Sequence, residues 1–191
     1  MKKFLKLALA VAALATMFGF ASCSNGSSDD STGTGGGATT PTASIELKYT
    51  DAELADKIFS YEGDNGTKYL IFTGGNGYNV SDPDATIDSN TPADSPVIVK
   101  YNGNLYKAGK YTRQSGSGLF TTWNPNEGNI SFTFNADGTG TAGGSNSFTF
   151  TNNAGVLTMT AGTNSYTAYY DGNYIYFDPK ELTYVKAYTA E

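Results

Sequence analysis

Residues 147–160 read SFTFTNNAGVLTMT, and this stretch decides the fold. Apolar and polar residues alternate on both sides of an Asn-Asn-Ala-Gly turn, and this period of two is typical of a half-buried β-strand. Asn and Gly adopt the positive φ angles that short hairpins need, and strands joined by such a short turn pair antiparallel. The stretch therefore predicts an antiparallel hairpin.

The same pattern continues on both sides of this hairpin. Residues 130–134 read ISFTF, and turn sequences recur at Asn135-Ala-Asp-Gly138 and Tyr170-Asp-Gly-Asn173. Up to eight short strands follow one another between Leu119 and Tyr188. A meander of this length removes its exposed edges when it closes on itself. We therefore predict an all-β chain whose antiparallel meander closes into a barrel.

One short helix is predicted before the strands. Thr50-Asp-Ala-Glu53 has the spacing of a capping box, in which the first and fourth residues satisfy each other's backbone N–H groups. Leu54, Ile58 and Phe59 follow at the spacing of one helical face. We expect these three side chains to face a core.

Similar segments occur in the two halves of the chain. Tyr101-Asn-Gly-Asn104 resembles Tyr170-Asp-Gly-Asn173, and each precedes a strand that ends in Tyr-x-basic, at Tyr111-Thr-Arg113 and Tyr184-Val-Lys186. A duplication would give two tandem β units, at 45–115 and 116–191. These units would form two small barrels or two halves of one barrel. Chance similarity in a chain rich in Tyr, Gly and Asn is the other interpretation.

The amino-terminal residues have the order of an export signal. Lys2, Lys3 and Lys6 precede an uncharged, mostly apolar run over 7–21, and small residues lead to Cys23. The run is shorter than the stretch of about 20 apolar residues that spans a membrane. It therefore favours a cleaved signal over a permanent anchor.

Phe20-Ala-Ser-Cys23 resembles the bacterial lipobox, with Phe20 where that family usually has Leu. The resemblance implies that 1–22 is a signal peptide, cleaved just before Cys23. It also implies a diacylglycerol on the Cys23 thiol and an acyl chain on the new amino end, so the protein would bind the membrane through lipid. No other cofactor is expected.

Residues 24–43 contain no large aliphatic or aromatic side chain. Such a composition buries too little apolar area to offset the entropy of ordering, so we interpret 23–44 as the lipidated cysteine and a flexible linker. Ser27-Ser-Asp-Asp30 resembles the acidic surface-export signal of Bacteroidetes lipoproteins, although an ordinary polar spacer fits equally well. Inner-membrane lipoproteins of enterobacteria carry Asp at the position of Ser24. The absence of Asp at this position favours a location in the outer membrane of the envelope.

Composition excludes several kinds of function. The chain has no His, and its one Cys belongs to the lipobox, which excludes Ser-His-Asp and Cys-His triads, His-containing zinc sites and internal disulfides. Removing 1–22 removes three of 12 basic residues and none of 18 acidic ones, so the mature side chains sum to 9 minus 18, or −9. Nucleic acid is a poor partner for such a surface.

Carboxylates are the catalytic groups that remain. Glu127, Asp137 and Asp171 lie in turn sequences, where acidic residues are common for backbone reasons. We therefore predict no catalytic residue and no metal site, and we expect that the protein is not an enzyme.

A second resemblance covers about 70 residues, namely LFTTW at 119–123, FTFNADGTG at 132–140, GVLTM at 155–159 and the final Tyr-x-basic. Together these segments resemble the lipocalin-like domains of bacterial lipoproteins. In lipocalins a Gly-x-Trp packs against a basic residue of the last strand and closes one end of the barrel. The resemblance implies that Trp123 pairs with Lys186, with Thr121 in place of the Gly. Plain core packing of Trp123 is the alternative.

Tyrosine is unusually frequent, with 14 among 191 residues. Inward rings would line a cavity for a small hydrophobic ligand, whereas outward rings would stack on sugars or contact a host protein. A third interpretation is that Tyr simply suits half-buried sheet positions. The candidate ligand-binding residues are Trp123, Tyr166, Tyr169, Tyr174, Tyr176, Tyr184 and Lys186.

The leading hypothesis is a lipid-anchored, non-catalytic envelope lipoprotein whose barrel binds a small hydrophobic ligand. The alternative is a surface adhesin or glycan-binding module that uses exposed Tyr and Trp.

Overall fold

The computed structural model describes residues 47–190. They belong to one compact unit. The predicted signal peptide, Cys23 and the linker to residue 44 lie outside the described residues. Within 47–190 the chain is all-β with one short helix, as the sequence predicts.

The helix α1 is Asp51–Leu54. The strands are β1 Lys57–Gly63, β2 Gly66–Thr73, β3 Asn76–Val80, β4 Ile98–Tyr101, β5 Asn104–Arg113, β6 Thr122–Pro125, β7 Phe132–Phe134, β8 Thr139–Ala142, β9 Asn146–Asn153, β10 Val156–Ala161, β11 Asn164–Tyr170, β12 Tyr174–Glu181 and β13 Thr183–Ala187.

Eight strands, β5 to β12, form a closed antiparallel barrel. Each pairs with the next along the chain, and β12 pairs back with β5 to close the ring. The predicted barrel is confirmed, but one of its eight strands is not the strand that the sequence predicts. The stretch from Leu119 to Tyr188 contains eight strands, of which β13 lies outside the barrel, and β5 takes its place.

A second sheet has the strand order β13-β1-β2-β3. Its strand β13 follows β12 after a single residue, Leu182. One extended segment therefore pairs first within the barrel, as β12, and then within this sheet, as β13. The short strand β4 pairs with the first half of β5, and β6 pairs with the second half. Strand β5 of the first predicted unit thus pairs with β6 and β12 of the second, and β1 pairs with β13. Strands therefore pair between the predicted units 45–115 and 116–191, and the division into two tandem units stays a prediction.

Three groups of buried apolar side chains hold the fold together. The largest fills the barrel, as expected for eight strands, which enclose a space that side chains can fill. Its members are Tyr111, Leu119, Trp123, Phe132, Phe134, Phe148, Leu157, Met159, Ala168, Tyr170 and Ile175. The second consists of Leu54, Phe59, Leu70, Phe72, Ile98 and Leu182. The third has Val99, Tyr169 and Tyr176 at its centre.

The capping box predicted for α1 is present. The Glu53 carboxylate accepts hydrogen bonds from the backbone N–H of Thr50 at 2.8 Å and from its hydroxyl at 3.1 Å. Lys100 Nζ lies 2.5 Å from Glu53 Oε1, and chiefly this contact lowers the pKa of Glu53 to about 2. The helix is shorter than predicted, because Asp56 adopts a φ of 51° and Ile58 and Phe59 continue as β1.

Gly140 on β8 allows the closest packing inside the barrel. A Cβ at this position would lie 2.3 Å from Cζ of Phe148 and 2.5 Å from the carbonyl oxygen of Thr133. Real Cβ atoms do not approach backbone so closely, so the Phe148 ring occupies space that only a glycine leaves.

We predict that Gly140→Ala destabilises the fold by about 1 to 3 kcal/mol, because overpacking forces side chains and backbone to shift. Gly109→Ala is the control, since a Cβ there would meet its nearest atoms at 3.7 and 3.8 Å, in ordinary contact. We expect the control to change stability by less than about 0.5 kcal/mol. Urea denaturation measures both, and equal effects would contradict this account.

Candidate functional site

One end of the barrel is closed by a buried tryptophan. Trp123 on β6 is 0 % exposed, and its indole Nε1 donates a hydrogen bond of 2.9 Å to the carbonyl oxygen of Leu119. The Tyr170 ring packs edge-on against the indole, with centroids 5.8 Å apart. The indole therefore has a polar partner as well as apolar contacts, and we call this region the closed end.

Arg113 at the end of β5 completes the closed end. Its guanidinium carbon lies 4.9 Å from the Trp123 ring centroid, within cation–π range. Arg113 Nε donates to the carbonyl oxygen of Gly118 at 3.1 Å, and Nη2 donates to that of Gly172 at 2.6 Å. The guanidinium thus connects two loops across the ring that it covers.

The prediction that Lys186 supplies this cation is wrong. Lys186 lies on β13 in the second sheet, where it forms an exposed ion pair with Asp84. The cation belongs instead to Tyr111-Thr-Arg113, the earlier of the two Tyr-x-basic segments. The reason is topological, because β5 is the barrel strand that pairs with β6, and its last residue Arg113 pairs with Trp123.

The opposite end of the barrel is less completely filled, and we call it the open end. Tyr166 on β11 and Phe177 on β12 point inward but remain half-buried, with ring centroids 5.9 Å apart. Phe177 continues the contact inward to Phe132 at 4.8 Å. Ala142 and Ala161, two small and half-buried residues, also pack against the barrel core.

Gly109 leaves a gap in the wall at the open end. It pairs with Phe177 and is exposed, although it lies on the inward side of β5, next to Tyr111. Tyr111 itself is buried, and burial raises the pKa of its phenol to about 12. The open end therefore exposes two aromatic rings, those of Tyr166 and Phe177.

The other tyrosines near the carboxyl end do not join this site. Tyr169 points outward from β11 and is buried, with ring centroids 4.7 Å from Tyr101 and 5.6 Å from Tyr106. Burial is the main cause that raises its pKa. Tyr169 therefore belongs to a small core on the outer wall and not to a cavity.

Two further outward tyrosines have charged neighbours. The centroid of the Tyr174 ring lies 3.7 Å from Lys110 Nζ, in a cation–π contact. The Tyr176 hydroxyl donates to the Asp171 carboxylate at 3.2 Å, while burial raises its pKa. Both rings are part of the third apolar cluster.

Tyr184 lies on β13, outside the barrel. It is 55 % exposed, and its ring packs edge-on against Phe59 at 6.1 Å. The seven predicted ligand-binding residues therefore divide between the closed end, the open end, the outer wall of the barrel and the second sheet. Of these seven, the open end contains only Tyr166.

Two recesses in the surface formed by residues 47–190 open to solvent. One, of about 340 Å³, runs beside Lys186 and Tyr188 on the second sheet. The other, of about 520 Å³, lies on the outer wall of the barrel over Thr149 and Thr160. Neither lies in the barrel interior.

Comparison with known proteins identifies no relative. No protein-family model matches the chain, no curated protein matches it, and no solved structure matches it.

No helix among residues 47–190 is long and apolar enough to cross a membrane. In the same range, no three or more His, Cys, Asp or Glu side chains are grouped to hold a metal ion.

Three residues of the two barrel ends escape prediction from sequence: Arg113, Phe177 and Gly109. Arg113 belongs to a Tyr-x-basic segment, but the lipocalin resemblance places the cation on the last strand. Phe177 lies two residues from Ile175, and period-two alternation would have placed both inside. Nothing in the local sequence marks Gly109 as part of the open end.

We predict that Arg113→Met lowers the free energy of unfolding by about 2 to 4 kcal/mol, because charged hydrogen bonds and a cation–π contact are lost together. Urea unfolding followed by fluorescence of Trp123, the single tryptophan, measures the loss. Lys186→Met removes only an exposed ion pair and should cost less than about 1 kcal/mol. A similar loss in both variants would show that Arg113 does not hold the closed end.

Proposed function

We propose that this protein is a lipid-anchored, non-catalytic module of the bacterial cell envelope whose barrel binds a small hydrophobic ligand at its open end. The observation that carries the proposal is the difference between the two ends. At one end Trp123 is fully buried beneath Arg113, whereas at the other end Tyr166 and Phe177 stay half-buried beside the gap at Gly109.

The chemistry of the open end suits an uncharged, ring-shaped or short-chain ligand. Aromatic faces provide apolar contact, and the Tyr166 hydroxyl can donate and accept hydrogen bonds. The ligand must be small, because Phe132, Phe134 and Phe148 already occupy the interior beyond these rings. It would rest on Tyr166 and Phe177 and replace water there, without filling a deep cavity.

The contacts of the turn carboxylates support a non-catalytic role. Asp137 accepts hydrogen bonds from the backbone N–H of Thr139 at 2.9 Å and from its hydroxyl at 2.6 Å. Asp171 accepts from the backbone N–H groups of Asn173 at 2.8 Å and Tyr174 at 2.7 Å. Each carboxylate thus stabilises the turn in which it lies. This backbone role is a sufficient reason for an acidic residue at these positions.

We predict that an apolar fluorescent probe, N-phenyl-1-naphthylamine, binds the chain from residue 24 onward in a saturable way. Gly109→Leu should weaken binding at least about tenfold, because the new side chain would extend over Phe177 and Tyr111 and occupy the site. Asn124→Leu places the same side chain on the exposed outer wall of β6 and should leave binding unchanged. Undiminished binding by Gly109→Leu would place the probe elsewhere.

The lipid anchor rests on the resemblance of Phe20-Ala-Ser-Cys23 to the lipobox. Two or more acyl chains hold a protein stably on a membrane, since each buried methylene contributes about 0.8 kcal/mol. The outer membrane is the proposed address, with the domain tethered by the polar linker up to residue 44.

We predict that Cys23→Ala abolishes palmitate labelling and releases the protein from the membrane fraction. Ser24→Ala keeps the thiol and should leave both properties intact. Labelling that persists in Cys23→Ala would overturn the proposed anchor.

A further inference from the structure

The outer wall of the barrel over β8, β9 and β10 contains a groove with hydroxyl walls. Nine residues line the groove: five Thr and Ser residues, Asn135, Phe148 and the glycines Gly140 and Gly162. We call it the hydroxyl groove and define it by Thr139, Thr141, Ser147, Thr149 and Thr160. The groove is open to solvent and has a volume of about 520 Å³.

The register of the strands arranges these hydroxyls in rows. Thr139 pairs with Thr149 across β8 and β9, and Thr149 pairs with Thr160 across β9 and β10. Thr141 and Ser147 form a second pair beside them. Neighbouring hydroxyls are therefore about 4.8 Å apart across the strands and about 6.8 Å apart along them. A free hydroxyl offers one donor and two acceptor positions. Thr139 keeps only part of this capacity, because its hydroxyl donates to Asp137 at 2.6 Å and accepts from Asn135 Nδ2 at 3.1 Å.

Charge is confined to one edge of the groove, where the Asp137 carboxylate accepts a hydrogen bond of 2.6 Å from the Thr139 hydroxyl. Residues 138–170 contain no Asp, Glu, Lys or Arg, although the whole chain has 30 such residues, 12 basic and 18 acidic. Exposed sheet surfaces usually carry charges that keep the protein soluble and discourage association. A neutral, hydrogen-bonding wall of this size therefore matches a neutral, hydrogen-bonding ligand.

We propose that the hydroxyl groove binds a neutral glycan, independently of the ligand at the open end. Sugar hydroxyls donate and accept in the same way as Thr and Ser, so adjacent rows can exchange several hydrogen bonds with one sugar chain. An acidic glycan is disfavoured because the groove supplies no cation and the protein is negatively charged.

A glycan array of neutral and acidic chains tests the proposal, with the full-length lipidated protein in a detergent that has no sugar headgroup. We expect binding to neutral glycans that is unchanged between low and high salt, because no ion pair contributes. The double variant Thr149→Val with Thr160→Val keeps the branched shape but removes two hydroxyls from the groove. It should weaken binding at least about tenfold.

The matched control is Thr151→Val with Thr158→Val, a cross-strand pair on the same two strands that lies outside the groove. This control should alter binding less than about twofold. Absence of neutral glycan binding, or equal loss in both double variants, would overturn the proposal. Sedimentation showing a dimer that only Thr149→Val with Thr160→Val dissociates would overturn it in favour of self-association.

Discussion

The pairing of β5 with β12 is the contact on which the rest of the structure depends. One edge of β5 pairs with β12, and its other edge is shared between β4 and β6. Without this pairing the meander would be an open sheet with two unpaired edges, which is the arrangement that promotes aggregation. Closure converts it into a barrel whose interior excludes water and holds eleven buried side chains.

The same strand positions both ends of the barrel. β5 carries Arg113 to the closed end, where the guanidinium reaches backbone carbonyls of two loops, and it carries Gly109 to the open end, opposite Phe177. Its first half extends beyond the barrel toward the second sheet, where the backbone N–H of Leu182 donates to the carbonyl oxygen of Leu105 at 2.8 Å. Leu182 is buried with Phe59 and Leu70. The closure of the barrel and the packing of the second sheet are thus linked through β5 and β12.

Polarity is unevenly distributed around the barrel wall. Strands β5 and β12 carry charged side chains such as Lys110, Arg113 and Lys180, whereas residues 138–170 carry none. Tyrosines cover the wall beside the charged strands, and hydroxyl groups cover β8 to β10. An apolar ligand at the open end and a neutral glycan on the outer wall would therefore use separate surfaces, so each kind of binding can be tested without the other.

The local features of this protein follow directly from its sequence. Alternation in 147–160 gives two strands, and Gly155 in the turn between them has the positive φ angle expected of it, 98°. The second positive φ angle, 52°, belongs to Ala154 and not to either Asn. The capping box at Thr50 and Glu53 is equally local. These features depend on residues within a few positions of one another, so the sequence contains all the information they need.

Tertiary structure alone decided which strand closes the barrel, which cation covers Trp123 and which tyrosines face inward. Arg113 and Gly172 are far apart in the sequence, and only the register of β5 on β12 brings them together. Tyr169 and Tyr170 differ by one position yet lie on opposite sides of the wall, because successive side chains of a strand point to opposite faces. A count of tyrosines therefore cannot locate a site, whereas the register does.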